Sequence, residues 1–294
     1  MKEKKIYALG FFDGVHLGHQ ALLTEACRLA RELGAEPCAV TFDKHPQSLF
    51  TPDPPKLINS IQDRKNLLDA YGICHLAVYP VTDESMSKSW EKFLQELTQQ
   101  GAVGFVCGSD FRFGCRGEGD AEKLQTYCRE KKLACAVVEQ QMLLDIRVSS
   151  TYIRSLLETG QMEKAVRFLG HPHLLSGTVV TGRKLGHTIG IPTANLLIPE
   201  GVVVPAFGVY ACKAVAGDKE YMAVTNVGTR PTVGGHRVTV EPWLLDFSGD
   251  LYGKPLTLYF YAYLRPEKKF DTLEELKAEI EKNALEVRKI FEKT

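Results

Sequence analysis

Two histidines three residues apart, His16 and His19, stand where an apolar stretch gives way to a helical pattern. Residues one helical turn apart share a face, so both imidazoles can reach the same ligand. The start of a helix offers unpaired N–H groups and a positive dipole end, which favour phosphate, and Gly14 and Gly18 allow close approach to the backbone. The spacing therefore fits a phosphate site. A zinc pair or two solvated histidines stay open on spacing alone, although no third metal ligand is evident.

A second group of residues suited to phosphate lies in "GRKLGHTIGIPTANL", residues 182–196. Its glycines make a pliable loop, and Thr193 and Asn195 alternate along an extended stretch, so a hydroxyl and an amide can face one ligand. Oxygen donors of this kind suit Mg²⁺ held jointly with phosphates. Composition alone is also compatible with a cluster of β-turns. The sequence contains no P-loop, because Gly253-Lys254 precedes a proline and lacks the upstream spacing.

The elements that position these groups differ between the two halves of the 294-residue chain. Residues 1 to about 170 alternate short apolar runs with periodic polar segments, which predicts a doubly wound α/β domain with a parallel sheet. The five predicted strands are "KIYALGF", "PCAVTF", "CHLAVYPV", "VGFVCG" and "LACAVVE". Ser60 with Asp63 predicts the capped start of a helix near 61–71, and the end of this half predicts two short helices broken at Gly160 and ended by Gly170. The first strand is predicted to end at Phe11-Phe12. Since open α/β sheets bind ligands at the carboxyl ends of their strands, both histidines would lie at that edge.

After residue 176 the pattern changes to β-branched and aromatic runs separated by turn residues. This predicts a small antiparallel β-barrel, with "HPHLLSG" before it as a linker. One helix comes last, and Asp271 with Glu274 predicts its start. Its expected apolar stripe is formed by Leu273, Leu276, Ile280, Val287 and Phe291. We predict two domains, residues 1–175 and 176–294.

Charge and composition limit the partners and the location. The 36 basic and 36 acidic side chains balance, which removes the simplest argument for binding nucleic acid or a membrane surface. No apolar run reaches the roughly 18 residues of a spanning helix, and the N-terminus does not match a signal peptide. The eight cysteines include no CxxC pair, which favours free thiols. We predict a cytoplasmic protein without nucleic-acid or membrane partners.

Four segments of the first half resemble a known family. "GFFDGVHLGH" (10–19) resembles the HxGH signature of the nucleotidyltransferase superfamily, and "TFDKHP" (41–46), "GSDFRFG" (108–114) and "VSSTYIR" (148–154) follow in the order of the prokaryotic FAD synthetase domain. The resemblance implies that FMN attacks the α-phosphorus of ATP while His16 and His19 contact the phosphates. The further ATP-binding residues that it implies are Gly10, Phe11, Asp13, Gly18, Ser149, Ser150, Thr151 and Arg154. The flavin-side residues that it implies are His45, Pro46, Asp110, Phe111 and Phe113.

Some of these implied roles have ordinary alternatives. Hydroxyls at a helix start beside the Arg154 guanidinium suit a second phosphate clamp, but "SSTYIR" alone also fits a plain N-cap. Phe111 and Phe113 also fit ordinary strand residues.

The second half resembles the riboflavin kinase domain nearly end to end. The matching segments are "PAFGVYA" (205–211), "NVGTRPTVGG" (226–235), "VEPWLLDF" (240–247), "DLYGKPL" (250–256) and "LRPEKKF" (264–270). The resemblance implies that Glu241 is the base for the 5′-hydroxyl of riboflavin, and that Thr193 and Asn195 contact Mg²⁺ and phosphate. A carboxylate within hydrogen-bond reach of a hydroxyl suits that role, whereas a solvated strand position is the alternative. The other implied contacts are Gly182, Arg183, Gly190 and Asn195 for ATP and Arg265 for flavin.

Taken whole, the chain resembles the bifunctional riboflavin kinase/FAD synthetases. This implies synthesis of FMN from riboflavin and then of FAD from FMN, with Mg²⁺ and ATP at both steps. The sequence departs from the family at His187, where arginine is more usual, at Trp243, and at Ser109. Two alternatives stay open: only the FMN adenylyltransferase activity survives, or the protein binds flavin without turnover. A cytidylyltransferase fits the HxGH motif but not the β-rich half.

Overall fold

The computed structural model describes residues 3–182, 190–232 and 235–292. The chain forms two compact units, Met1–Ser150 and Thr151–Thr294. Each unit contains one of the two sequence patterns, and each is described separately below.

The first unit is built on a parallel sheet, as predicted. Within residues 3–150, all of which the structure describes, five strands pair in the order β3-β2-β1-β4-β5. They are β1 (Lys5–Leu9), β2 (Glu36–Phe42), β3 (His75–Tyr79), β4 (Ala102–Gly108) and β5 (Ala134–Val138). Strand β1 is central and ends at Leu9, two residues before the predicted end, so residues 10–16 are a loop at the carboxyl edge of the sheet.

Helices cover both faces of this sheet. They are α1 (Leu17–Leu33), α2 (Ile61–Ala70), α3 (Asp83–Met86), α4 (Trp90–Gln99) and α5 (Ala121–Lys131). Alternate residues of β1 point to opposite sides: Ile6 packs in the same apolar cluster as α1 and α2, whereas Tyr7 packs with α4 and α5. The predicted N-cap of α2 is present, because the Ser60 hydroxyl accepts a hydrogen bond from the Asp63 N–H at 3.1 Å.

A short hairpin of the first unit was not predicted. Strands β6 (Met142–Leu143) and β7 (Ile146–Arg147) pair antiparallel around a two-residue turn. Leu144 and Asp145 both adopt the left-handed conformation, with φ of 53° and 58°. A two-residue turn with positive φ at both positions normally carries Asn-Gly or Asp-Gly, so Leu-Asp gives no turn signal in the sequence.

The second unit is a barrel with helices. Helices α6 (Ser150–Glu158) and α7 (Met162–Leu169) match the predicted pair broken at Gly160 and ended by Gly170. Among the described residues six strands then close in the order β10-β11-β12-β9-β8-β13. The strands are β8 (His173–Val180), β9 (Asn195–Leu197), β10 (Gly208–Ala216), β11 (Lys219–Thr232), β12 (Gly235–Leu244) and β13 (Pro255–Arg265).

Two details of the second unit correct the sequence interpretation. The predicted linker "HPHLLSG" lies mostly in β8, which pairs with β13 along its length, because Leu174 and Leu175 are buried in the barrel. The last helix, α8 (Leu273–Phe291), is capped by Thr272, whose hydroxyl accepts from the Glu275 N–H at 3.2 Å. Its inner face is centred on Ala284 and Val287, whereas Leu273 is half exposed.

His173, in the wall of the barrel, is unfavourable for the stability of the folded chain. Its side chain is fully buried, and neither ring nitrogen has a hydrogen-bond partner among the described residues. Burial and the nearby His171 lower the pKa of His173 from 6.5 to about 3. Between these pH values the unfolded chain binds a proton that the folded chain does not bind, so acid favours unfolding by up to about 1.4 kcal/mol per pH unit.

We therefore expect His173→Phe to melt at a higher temperature than the wild-type chain, since phenylalanine leaves no unpaired nitrogen. The difference in melting temperature should widen as the pH falls from 7.5 to 5. Thermal unfolding monitored by circular dichroism at pH 7.5 and pH 5 measures this difference. A measurement at pH 8 is the control, because the imidazole is neutral there in both the folded and the unfolded chain. A pH-independent difference would show that the titration of His173 does not contribute to acid unfolding.

Among the described residues no helix is both long and apolar enough to cross a bilayer. The predicted cytoplasmic location stays a prediction.

Candidate active sites

The first phosphate candidate is formed where β1 turns into α1. His16 caps this helix, and its Nδ1 accepts a hydrogen bond from the His19 N–H at 3.3 Å. A neutral imidazole that accepts at Nδ1 carries its proton on Nε2. His16 therefore keeps an N–H donor on the far side of its ring while it also caps the helix.

The two imidazoles form a stacked pair. Their ring centroids lie 3.7 Å apart with an interplanar angle of 13°, and the Phe12 ring lies 5.2 Å from that of His19. Burial, then His16 and then Arg64 hold the pKa of His19 well below its usual range. His19 is therefore a neutral donor at pH 7. Gly18 leaves room for the stack, because a methyl group there would lie 3.2 Å from the His16 ring and would displace it by a few tenths of an ångström.

The loop before α1 has an uncommon backbone. Phe12, Gly14 and Val15 have positive φ values of 53°, 87° and 39°, and all three residues are buried. A non-glycine residue in such a conformation costs about 1–3 kcal/mol and persists only where its surroundings hold it. The position of the two histidines therefore depends on what packs around this loop.

A cavity of about 270 Å³ lies beside the histidines. It brings together seven residues predicted to contact ATP: Gly10, Phe11, His16, Gly18, His19, Ser149 and Ser150. The two motifs are also linked directly, because the Ser150 hydroxyl donates to the Asp13 carbonyl at 2.8 Å. Thr151 and Arg154 belong to the second unit, where Thr151 is exposed and Arg154 is buried.

Asp13 lies in the protein interior. The resemblance implies that it binds ATP, which stays a prediction; its side chain has no exposed surface. Its carboxylate accepts hydrogen bonds from the N–H groups of Ile58 at 2.8 Å and Asn59 at 3.3 Å, and lies 3.7 Å from the Arg64 guanidinium. A carboxylate closed off in this way holds the loop together and does not face the cavity.

The same cavity contains an ion pair that the sequence did not reveal. Arg147 of β7 bonds to the carboxylate of Asp110, which the sequence had placed on the flavin side. Both side chains are about half exposed. Arg147 precedes the "VSSTYIR" segment by one residue, so the only available signal was its adjacency to a phosphate motif.

A second, more apolar cavity of about 160 Å³ adjoins the first and shares Gly10 and Phe111 with it. Pro46 and Phe113, which the resemblance places on the flavin side, line it together with Phe42, Tyr79 and Phe93. The rings of Phe111 and Phe113 stack at 5.8 Å. His45 does not line this cavity. Its ring packs edge-on against Phe11 at 5.4 Å, and its Nδ1 accepts from the Gln47 N–H.

The barrel contains the other candidate site. A cavity of about 310 Å³ is lined by four predicted residues, Thr193, Asn195, Glu241 and Arg265. Apolar side chains of the barrel and of α8 supply much of the remaining wall, among them Ile191, Val209, Trp243, Leu276 and Ile280. Hydroxyl, amide and carboxylate groups therefore line one largely apolar cavity, the arrangement expected of a small-molecule site.

Gly182 and Asn195 are in close contact at this site. A methyl group added at Gly182 would overlap the side-chain amide of Asn195. Glycine is therefore needed for the observed position of that amide. Gly190 has a positive φ of 76° and open space around it. Arg183 and His187 lie outside the described residues.

A further cavity of about 280 Å³ shares Thr193 with the previous one. It is lined by Phe247 and Tyr252, on either side of Asp250 in the turn before β13. The sequence had singled out this segment only as part of a resemblance. Aromatic residues next to glycines were the available signal for a stacking surface.

Arg265 has several partners in the second unit. Its Nε donates to the Asn283 Oδ1 at 3.1 Å and lies 3.5 Å from the Glu279 carboxylate, and its Nη1 donates to the Pro266 carbonyl at 3.0 Å. Glu279 and Asn283 are on α8, so Arg265 ties this helix to β13. The predicted flavin contact of Arg265 stays a prediction.

An α/β unit with two histidines at a helix start, and a barrel with Thr193, Asn195 and Glu241 in one cavity, are features of an enzyme that transfers phosphorus-containing groups. The comparisons with known proteins are specific. A family model described as FAD synthetase matches residues 1–152, and one described as riboflavin kinase matches residues 169–291. The chain therefore belongs to the family of bifunctional riboflavin kinases/FMN adenylyltransferases.

Curated relatives carry that name over nearly their whole length. The protein from Bacillus subtilis is 35% identical over 297 residues, covering 98% of this chain and 93% of the relative. The protein from Listeria monocytogenes is 32% identical, again with 98% and 93% covered. Among solved structures, one titled as a macrolide-efflux protein from Streptococcus pneumoniae has a TM-score of 0.88 and 28% identity, with 98% of this chain and 95% of that chain covered.

Proposed function

We propose that this chain phosphorylates riboflavin to FMN in its second unit and adenylylates FMN to FAD in its first unit, with ATP as co-substrate of both reactions. The single observation that carries the proposal is that each unit brings polar, phosphate-suited groups together with an apolar cavity: an adjoining one in the first unit and the same one in the second. A flavin ring system suits the apolar cavity in each case, and phosphates suit the polar side.

For the kinase step, Glu241 is the residue that acts on the acceptor. Its carboxylate accepts the proton of the 5′-hydroxyl while that oxygen attacks the γ-phosphorus of ATP and ADP leaves. The Thr193 hydroxyl and the Asn195 amide oxygen line the same cavity and are hard oxygen donors, which fits Mg²⁺. When bound with ATP, Mg²⁺ would neutralise phosphate charge there. Gly182 and Arg183 would complete the nucleotide side, and Phe247 with Tyr252 the base-binding surface.

For the adenylyl step, the protein acts by positioning and by stabilising charge. A phosphate oxygen of FMN attacks the α-phosphorus of ATP, the bond from the α-phosphorus to the bridging oxygen breaks, and pyrophosphate leaves. The Nε2–H of His16 and the neutral imidazole of His19 would donate to phosphoryl oxygens whose charge increases in the transition state. We propose Ser149, Ser150, Thr151 and Arg154 as the second phosphate clamp.

The flavin side of the adenylyl site would use Pro46 and Phe113 as apolar walls. Asp110 and His45 would lie at the border of this flavin side. Asp110 lines the neighbouring cavity, and His45 packs against Phe11. On the kinase side, Arg265 would contact the flavin while it holds α8. The functional division at residues 1–175 and 176–294 is part of the same proposal.

One chromatographic experiment tests the whole proposal. Purified protein is incubated with Mg²⁺ and ATP and with either riboflavin or FMN, and the flavins are separated over time. FMN that appears before FAD supports both reactions, and chelation of Mg²⁺ should stop both. FAD from FMN without any product from riboflavin would leave only the adenylyltransferase. No product from either flavin would leave a flavin-binding protein without turnover.

The contact between Gly182 and Asn195 supplies a more specific prediction. Gly182→Ala should lower the rate of FMN formation by about ten- to a hundredfold, because the added methyl group displaces the Asn195 amide from its position beside the phosphates. FAD formation from FMN should be unchanged. Steady-state assays of both reactions measure this. Gly217→Ala is the control for an added methyl group, since no atom lies within 4 Å of it in that hairpin turn; its positive φ of 60° strains alanine, so this variant should lose stability but keep both activities. Equal losses in the two variants would contradict the role of the contact.

A further inference from the structure

Arg64 is a buried arginine that belongs to none of the sequence motifs. It lies on α2, its side chain has no exposed surface, and it is among the largest fully buried side chains of the chain. Arginine is rarely buried completely unless its charge is paired and its donors are used. The groups around Arg64 therefore indicate what it does.

The Arg64 guanidinium binds the ends of two neighbouring strands. Its Nη1 donates to the Phe11 carbonyl at 3.1 Å, the Thr41 hydroxyl at 2.8 Å and the Phe42 carbonyl at 3.0 Å. The Thr41 hydroxyl in turn donates to the Phe11 carbonyl at 2.6 Å. The guanidinium carbon also lies 4.8 Å from the centre of the Phe11 ring. Arg64 thus holds the first residues of the loop that leads to His16.

Asp13 supplies the opposite charge from the middle of the same loop. Its carboxylate lies 3.7 Å from the Arg64 Nη2 and also accepts from the N–H groups of Ile58 and Asn59. Its backbone carbonyl accepts the Ser150 hydroxyl. One buried residue therefore connects the segment before α2, the histidine loop and the second phosphate motif.

The backbone of the loop explains why such a connection is needed. Phe12 and Val15, on either side of Asp13 and Gly14, have positive φ values that residues other than glycine rarely adopt. Without anchors this loop would relax, and the cap residue His16 would move with it. Asp13 inside the loop and Arg64 on α2 are its charged anchors, and Phe12 is an apolar one.

We propose that Arg64 and Asp13 form a buried ion pair that holds the histidine loop in its strained conformation and thereby positions His16 and His19 for adenylyl transfer. Arg64 is a positioning residue that does not touch the nucleotide. This inference rests on the proposed adenylyltransferase function of the first unit. The charge of Arg64 also contributes to keeping His19 neutral, which is the form that the stacked pair requires.

The test is the charge-conserving substitution Arg64→Lys in the full chain, because a single ammonium nitrogen cannot replace both Nη1, which binds the strand ends, and Nη2, which faces Asp13. The turnover number for FAD formation from FMN should fall by about a hundredfold, while the KM for ATP changes by less than about threefold. Riboflavin phosphorylation in the same preparation should be unchanged. Arg28→Lys, which alters an exposed ion pair on α1, is the matched control.

A spectroscopic readout separates positioning from general loss of structure. In ¹⁵N-histidine correlation spectra of the chain, Arg64→Lys should shift the imidazole signals of His16 and His19. Apart from His45, whose ring packs on Phe11, the remaining five of the eight histidines should stay in place. Asp13→Asn keeps an acceptor oxygen for the Ile58 and Asn59 N–H groups and should produce the same shifts, which covers the case that Arg64→Lys does not fold.

The outcomes are distinct. Unshifted histidine signals with FAD formation within about twofold of the wild-type rate would overturn the inference. A wild-type chain that forms no FAD, together with shifted histidine signals in Arg64→Lys, would overturn the adenylyltransferase function and keep the structural role of the pair. A large rise in the KM for ATP in Arg64→Lys would overturn the assignment as a positioning residue.

Discussion

Glu241→Gln is expected to lower FMN formation from riboflavin by about a thousandfold and to leave FAD formation from FMN unchanged. Glutamine keeps the size and the hydrogen-bonding oxygen of the side chain, but it cannot accept the proton of the attacking hydroxyl. The substitution therefore removes the base without emptying the cavity that Glu241 shares with Thr193 and Asn195. Steady-state rates of both reactions, measured by flavin chromatography, determine the two effects.

The control for this variant is Glu220→Gln on the neighbouring strand β11. Glu220 is half exposed and pairs with Lys213 at 2.9 Å on the outside of the barrel, so its loss should affect neither reaction. A Glu241→Gln enzyme that phosphorylates riboflavin at more than about a tenth of the wild-type rate would rule out Glu241 as the general base. A variant that is folded but has lost both activities would contradict the existence of two separate sites.

The fold could largely be predicted because its signals are local. Alternation of apolar runs and periodic segments identified the five parallel strands, and turn residues between β-branched runs identified the barrel. Caps were predicted where the residue types are unambiguous, as at Ser60. The start of α8 was wrong by one residue, since Asp271 and Thr272 are both good caps and only the backbone conformation selects Thr272.

Elements with weak local signals were missed. The segment "HPHLLSG" contains glycine, proline and two histidines, which favour a linker by composition, yet its leucines are buried and it completes the barrel as β8. The need to close a sheet is a tertiary constraint that no local window contains. The hairpin of β6 and β7 was missed because Leu144-Asp145 is an atypical turn sequence.

The candidate sites likewise contain residues that the sequence could identify and residues that it could not. Residues that carry a motif, such as His16 with His19 and Thr193 with Asn195, could be named from residue type and spacing. Arg64 could not, because α2 is a polar helix in which a buried arginine looks like its solvated neighbours. Asp13 was assigned to ATP because it stands inside a motif, and the sequence alone did not show that its carboxylate faces the protein interior. Whether a charged residue contacts a ligand or holds the site in place depends on whether it is buried. The sequence alone does not show which charged residues are buried.

The strained loop and the stacked histidines together explain why the adenylyl site contains neutral and not protonated imidazoles at a helix start. A protonated histidine there would oppose the positive end of the helix dipole, and His19 would in addition face the charge of Arg64. Neutral rings can instead stack at 3.7 Å and present N–H donors to phosphate. Transition-state stabilisation at this site is therefore expected to depend on donor position more than on net positive charge.

His19→Ala should accordingly lower FAD formation from FMN by about a hundred- to a thousandfold, the loss typical of removing one preorganised donor from a developing negative charge. The turnover number should carry most of the effect, because the donor acts in the transition state. FMN formation from riboflavin should stay at the wild-type level, since the kinase cavity is formed entirely by residues of the second unit. Initial rates at saturating FMN, with ATP varied, separate turnover number from KM.

His75→Ala is the matched control, because His75 is an exposed histidine of the same unit at the start of β3 and should have no effect on either rate. His19→Gln adds a second comparison: an amide can replace the N–H donor but not the stacked ring, so it should recover part of the lost rate. A His19→Ala protein that still makes FAD within about threefold of the wild-type rate would show that His16 and the second phosphate motif suffice. The stack at the helix start would then act only as a structural cap. The groups that donate hydrogen bonds to the phosphates would have to be sought around Arg147 and Ser149.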